Sequence, residues 1–371
     1  MVKIFSAISI LMGTVIGAGV LGIPYVISKS GFTIGLLHLI IIGIIIGVIS
    51  LYLGEIALRT KENHQLTGYV EKYLGKKGKN IMLFVLAFDI CAALVAYLVG
   101  EGESISYLIF NTTEYAPMIS IIFWLCLSAL TYLGIRFLEK GESIGIIIIT
   151  ALTMGILITS WNKINFENLS TVNTSHFFTP IGVIIFAFLG FAAIPVLKKE
   201  LGKEKKLMKK TIVLSYLFTF IIYALFAFAV VGLKGNSTPE IATFALGKIF
   251  VLLGILTMFT SYLALSIAII DMLHLDFKVK RTKAWIMSSL IPLFILIGLN
   301  LTESGSFTKI LNIGGLVSGG AISIMIILMI KKAKIKGDRK PEYNMPYSRI
   351  LNLILIALIL TGAIMQIVKY I

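Results

Sequence analysis

Apolar runs of about 20 residues or more recur from one end of this chain to the other, each long enough to cross a hydrocarbon core of about 30 Å as a helix. Backbone groups in such a core find no water, so each run must satisfy its own N–H and C=O groups, as an α-helix does. Composition agrees. Of the 371 residues, 58% are hydrophobic and 14% charged, where soluble domains carry roughly 25% charge. No soluble domain fits between the runs, so the sequence predicts a single all-α polytopic membrane domain over residues 1–371.

Eleven transmembrane helices are predicted, near residues 4–27, 32–58, 81–109, 117–137, 142–160, 176–197, 211–232, 246–272, 283–299, 306–330 and 347–369. The first follows a lone Lys3 and has no small-residue cleavage site, so it is expected to be retained. With the N-terminus inside, the outer side holds only Lys29, Lys163, Lys234, Lys248, Lys309 and Lys369 of the 33 basic residues. The bulk of positive charge stays in the cytoplasm, the pattern that sets orientation. It predicts a multi-pass protein of the cytoplasmic membrane, N-terminus inside and C-terminus outside. The net charge of +15 therefore orients the chain in lipid, and no nucleic acid partner is expected. Asn-x-Ser/Thr triplets starting at Asn111, Asn168, Asn173, Asn236 and Asn300 fall on outer loops, which are simply rich in these residues. Cys91 and Cys126 lie inside apolar runs as small packing residues.

Two spans are written to break. Gly13-Thr14-Val15-Ile16-Gly17-Ala18-Gly19-Val20-Leu21-Gly22-Ile23-Pro24 puts four glycines and a proline into the first. In a helix interior each Gly costs about 1 kcal/mol relative to Ala and Pro about 3. Taken alone, small residues also suit close helix packing. The sixth span, however, repeats the pattern as Phe186-Ala187-Phe188-Leu189-Gly190-Phe191-Ala192-Ala193-Ile194-Pro195. A five-span offset reverses orientation, so spans 1–5 (residues 1–160) and 6–10 (residues 176–330) are predicted to be inverted repeats, with 347–369 an extra helix. Paired interruptions at matching places point to a transporter's midplane site. Unpaired N–H groups at a half-helix start attract an anion, and freed carbonyls attract an ammonium or a metal ion. A zwitterion suits both, in the space that Gly17 and Gly190 leave.

The stretches Gly13 to Pro24 with Gly31-Phe32, Ile185 to Pro195 with Glu200-Leu201, and Thr260-Ser261-Tyr262-Leu263-Ala264-Leu265-Ser266 resemble amino acid permeases of the amino acid-polyamine-organocation superfamily. The nearest branch is the amino acid/auxin permeases with their aromatic amino acid permeases, and the resemblance runs over about 270 residues. It implies a leucine-transporter-type fold and secondary transport of an amino acid. It also implies that the amides of Ala18 and Gly19 hold the substrate carboxylate, and that the carbonyls of Val15, Phe186 and Ala187 hold its ammonium. Phe188 or Phe191 would cap the site, and Tyr97 would border the side-chain pocket or serve as a packed interface tyrosine.

No cofactor is expected, but uphill transport needs a coupling cation, H+ or Na+. Asp89, about 12 Å into the third span at 1.5 Å per residue, is the deepest carboxylate and the proton candidate. Its alternative is a paired carboxylate near the cytoplasmic side. His38 reads first as a packing residue, and Glu55, Glu101, Glu103 and Asp271 as interfacial. The resemblance also suggests a Na+ cage from the carbonyls of Gly13 and Ile16 with the hydroxyls of Thr260 and Ser261. The basic run Lys198 to Lys210 reads as a positive-inside signal, with anionic lipid headgroups as the second reading. Nothing in the sequence sets an oligomeric state.

Other classes fit less well. No HExxH or nucleophile-elbow motif supports an enzyme, and no polar path or filter supports a channel. An amino-acid-sensing receptor on a permease fold is the main rival, and the minimal ends, Met1 to Lys3 and Lys369 to Ile371, weigh against it.

Overall fold

The structure, a computed structural model, describes residues 2–133, 141–275, 277–302 and 305–347, with isolated positions beyond. Its elements are helical: α1 Val2–Val15, α2 Gly19–Ser30, α3 Phe32–Arg59, α4 Leu66–Phe110, α5 Ala116–Tyr132, α6 Gly141–Ser160, the short α7 Glu167–Ser170, α8 Ile181–Phe188, α9 Ala193–Leu201, α10 Met208–Lys234, α11 Lys248–Leu275, α12 Arg281–Leu301, α13 Phe307–Gly314 and α14 Gly320–Lys336. Among the described residues, seven helical stretches are long and apolar enough to span a membrane, and the bent pair α1 and α2 makes eight. A shorter apolar helix, α5, and the 20-residue α6 occupy the fourth and fifth predicted spans. The predicted span 347–369 lies mostly outside the described residues, as does the loop carrying Arg136 and Lys140.

The apolar core runs through α1 to α4, α8 to α11, α13 and α14, with Tyr52, Tyr69, Tyr223, Tyr262 and Phe188 among its largest buried side chains. Most helices show exposed leucines, isoleucines and phenylalanines on one face, such as Ile44, Phe84 and Phe294. In a bilayer those faces are already solvated by hydrocarbon, so burial tracks packing between helices.

Two boundaries differ from prediction. The third span was placed from residue 81, but α4 begins at Leu66 and turns at Gly75, whose φ of 84° only glycine adopts freely. Lys72, Lys76, Lys77 and Lys79 hide this first stretch from a hydropathy window. The sixth span starts at Ile181 rather than 176, because residues 174–180 form a 3-10 turn followed by a further turn.

Segment 337–347 is fastened across the C-terminal end of α3. Glu55, wholly buried, accepts from Arg59 Nε (2.8 Å), Lys334 Nζ (2.8 Å) and the Met345 N–H (2.7 Å). Its place near the end of a span does not leave it exposed, because this segment covers it. The Tyr343 hydroxyl donates to the Leu51 carbonyl at 2.6 Å, and Lys72 pairs with Asp338.

Candidate functional site: two interrupted helices

α1 and α2 meet at an angle of 58° across Ile16-Gly17-Ala18. The ladder gives way to short-range bonds there: the Gly17 N–H reaches the Val15 carbonyl (3.0 Å) and the Leu21 N–H the Ala18 carbonyl (3.0 Å). The second break covers Leu189 to Ala192, where Leu189 is extended at φ −67°, ψ 116°. Pro195 is the third residue of α9, where its missing N–H would have had no helical partner. Proline thus fixes where α9 can start, and Gly190 lets the chain pass.

The two breaks touch. The Tyr223 hydroxyl of α10 stands between the Val15 carbonyl (3.0 Å) and the Ala187 carbonyl (2.8 Å). A hydroxyl has one proton, so it serves two acceptors in part. Seven residues earlier on the same helix, the Tyr216 hydroxyl donates to the Phe188 carbonyl (3.2 Å) and contacts the Ser50 hydroxyl (2.7 Å). Sequence reasoning missed both tyrosines. The available signal was a tyrosine amid a lipid-length apolar run, since a buried phenol needs a partner.

Glycines set the approach. A Cβ on Gly19 would lie 2.6 Å from Ala187 Cα, so the start of α2 is in backbone contact with α8. A Cβ on Gly190 would run into Val15 and Leu11, whereas one on Gly17 would meet only the Tyr97 hydroxyl, at 3.1 Å. That hydroxyl also reaches the Ala18 main chain and Ser261. Tyr97, Ala18 and Ser261 are thereby brought together.

The phenylalanines diverge. The Phe188 ring packs between those of Tyr216 and Tyr223, with centroids 6.2 and 5.2 Å away, and faces Gly43 of α3. Phe186 turns toward Gly314 and Ala92, and Phe191 is buried.

Of the ion candidates, Gly13 lies within α1 and Ile16 in the break. Thr260 donates to the Thr257 carbonyl of its own helix at 3.0 Å, and Ser261 meets Tyr97. Asp89 Oδ1 and the Gly314 carbonyl each lie 2.5 Å from the Ser318 hydroxyl. One hydroxyl proton faces two acceptors, and a proton on Asp89 would complete the set. Ser318 belongs to a single π-helical turn, Gly315–Gly319, a feature frequent at functional sites. Gly315 of that turn is packed directly on the Gly182 carbonyl of α8. His38 is a packing residue, its Nδ1 2.9 Å from the Ile34 carbonyl and its ring against Phe177. Lys198 is buried and donates to the carbonyls of Thr60 (2.7 Å), Lys61 (3.4 Å) and Glu62 (2.7 Å) at the end of α3.

Similar proteins include "Glutamine transporter 2" of Aliivibrio fischeri, 24% identical over 92% of this chain and 90% of that protein. "Tyrosine-specific transport system 1" of Haemophilus influenzae is 24% identical over 60% of this chain and 56% of its own length. The solved structure of MhsT in complex with L-phenylalanine matches with a TM-score of 0.71 at 16% identity, covering 96% of this chain and 98% of that one. That likeness gives the chain the fold of a polytopic helical membrane protein. Residues 1–241 match the tryptophan/tyrosine permease family, and the chain belongs to that family of permeases rather than to membrane enzymes.

Proposed function

We propose that the protein is a secondary active transporter of amino acids in the cytoplasmic membrane, N-terminus inside and C-terminus outside. It works by alternating access around the two breaks, which belong to helices 1 and 6 of two inverted five-helix repeats followed by one further helix. The observation that carries this reading is the Tyr223 hydroxyl held between the carbonyls of Val15 and Ala187. An ammonium has three N–H donors where the phenol has one, so it satisfies both carbonyls more fully. The substrate carboxylate takes the amides of Ala18 and Gly19 at the start of the 12-residue α2, beside the Tyr97 hydroxyl that also reaches the Ala18 main chain. Gly17 leaves room beside Tyr97, which borders the side-chain pocket, and Phe191 is the better placed cap because Phe188 is committed to α10. The relatives' names put neutral amino acids such as glutamine, tyrosine and phenylalanine first among substrates. The coupling cation is H+, with Asp89 as a carrier, or Na+ among Gly13, Ile16, Thr260 and Ser261.

Reconstituted vesicles test this. Counterflow of a labelled neutral amino acid, and its accumulation under a H+ or Na+ gradient, are the expected results. Saturable binding with no accumulation under either gradient would instead identify a receptor.

A further inference from the structure

One carboxylate of α4 stands out for its lack of company. Glu101 is 0% exposed, and among the described residues no side chain is hydrogen-bonded to either of its carboxyl oxygens. The hydroxyl of Ser104, three residues on and so on the same helix face, is also buried without a partner. An expected interfacial residue is therefore enclosed by protein. It faces the main chain of Phe259 on α11, and the adjoining turn of α4 packs on Met258, Phe307 and Ser120.

The charged neighbours do not compensate it. On α4 itself, Glu103 is turned toward Glu240, and Asp89 lies three turns inward. Glu240 is engaged by the Ser306 hydroxyl (2.6 Å) and the Thr308 N–H (3.2 Å) at the start of α13. α5 contains no charged residue. The charges of α11 and α12 sit toward their ends, Lys248, Asp271, Arg281 and Lys283, and Tyr262 of α11 is hydrogen-bonded to Ser266. Lys309 of α13 and the lysines ending α14 are not hydrogen-bonded to the Glu101 oxygens. An ionised carboxylate so placed would forfeit its hydration with only the Phe259 main chain to face and no opposite charge beside it, a cost of several kcal/mol. The neutral acid has no such cost.

Its position ties it to transport. Glu101 is one helical turn outward of Tyr97, whose hydroxyl touches Ala18 and Ser261, and Phe259 directly precedes Thr260 and Ser261. We propose that Glu101 is a proton-binding site of the transporter: its carboxyl group holds H+ in this packed arrangement of α4 and α11 and releases it as H3O+ when their separation admits water. The proposal rests on the transport reading above and names its coupling ion, with no metal ion needed at the hydroxyls of α11.

The test uses the full-length protein in vesicles with glutamine, tyrosine and phenylalanine as probes. Wild type is expected to accumulate its substrate under an inward pH gradient without Na+. Glu101→Gln, which keeps the shape and removes the titratable proton, should lose that accumulation, while Glu101→Asp should retain part of it. A thermal melt checks that each variant is folded. Infrared difference spectra of wild type against Glu101→Gln at neutral pH should show a protonated-carboxyl band. Missing that band, undiminished pH-driven accumulation by Glu101→Gln, or a wild type driven by Na+ alone each overturns the proposal. Failure of wild type to bind or exchange any amino acid overturns the transport reading instead, and the infrared band still decides whether Glu101 holds a proton.

Discussion

Gly19→Ala is the sharpest test of the crossing between the two breaks. The added methyl would sit 2.6 Å from Ala187 Cα and 2.8 Å from Ala187 Cβ, where ordinary contact begins at 3.4 Å. The obstacle is backbone, so no side chain can swing away. α2 and α8 must separate by about 0.8 Å or more, since close-packed interiors have no slack to absorb it. The Tyr223 hydroxyl, now 3.0 and 2.8 Å from its two carbonyls, then loses at least one of them. Overpacking of this kind costs about 1–3 kcal/mol, and a displacement near 1 Å at a reacting site can cost about 100-fold in rate. Uptake initial rates in vesicles should therefore fall by one to two orders of magnitude, with a lower melting temperature. Gly155→Ala in α6 is the control, because its Cβ meets nothing within 4 Å. Uptake by Gly19→Ala within twofold of wild type would refute the reasoning, since the breaks would then tolerate separation.

Tyr223→Phe leaves the Val15 and Ala187 carbonyls short of a donor, at about 1–3 kcal/mol for a buried unsatisfied group. The melting temperature should drop without substrate and recover most of the loss with substrate, whose ammonium replaces the phenol; an equal drop in both conditions argues against the ammonium site. Asp89→Asn keeps a contact with Ser318 but removes a titratable group, so the pH dependence of uptake should flatten if Asp89 carries protons; an unchanged pH profile removes Asp89 from coupling. Lys198→Met withdraws three donors from the end of α3, and limited trypsinolysis after Lys61 should accelerate by about tenfold, as a loss near 1.4 kcal/mol implies. An unchanged cleavage rate would show that the loop is held by other contacts.

The breaks were legible in sequence because glycine and proline act on the backbone, and backbone strain needs no tertiary context. The partners of the freed carbonyls were not legible: α10 is apolar all round, so its composition does not say which face holds Tyr216 and Tyr223. Depth misled in a similar way. Glu55 and Glu101 lie near span ends when counted along the chain, yet segment 337–347 and α11 cover them. Linear position reports distance from the membrane surface, and burial depends on what else is packed there. The start of α4 at Leu66 was lost for the opposite reason, an amphipathic stretch too polar for a hydropathy window to include.

The clasp on Glu55 restricts how this molecule can change shape. Its carboxylate joins α3, the C-terminal end of α14 and the Met345 main chain at one buried point, so these three parts travel as a single lever. Bending must then be accommodated elsewhere along the two helices. Gly43 and Gly47 midway along α3, and the π turn from Gly315 to Gly319 ahead of α14, are places where the helix carries least side-chain or ladder constraint. Both lie beside the second break, so a rigid grip at the Glu55 end would deliver its motion to the region around Phe188 and Ser318.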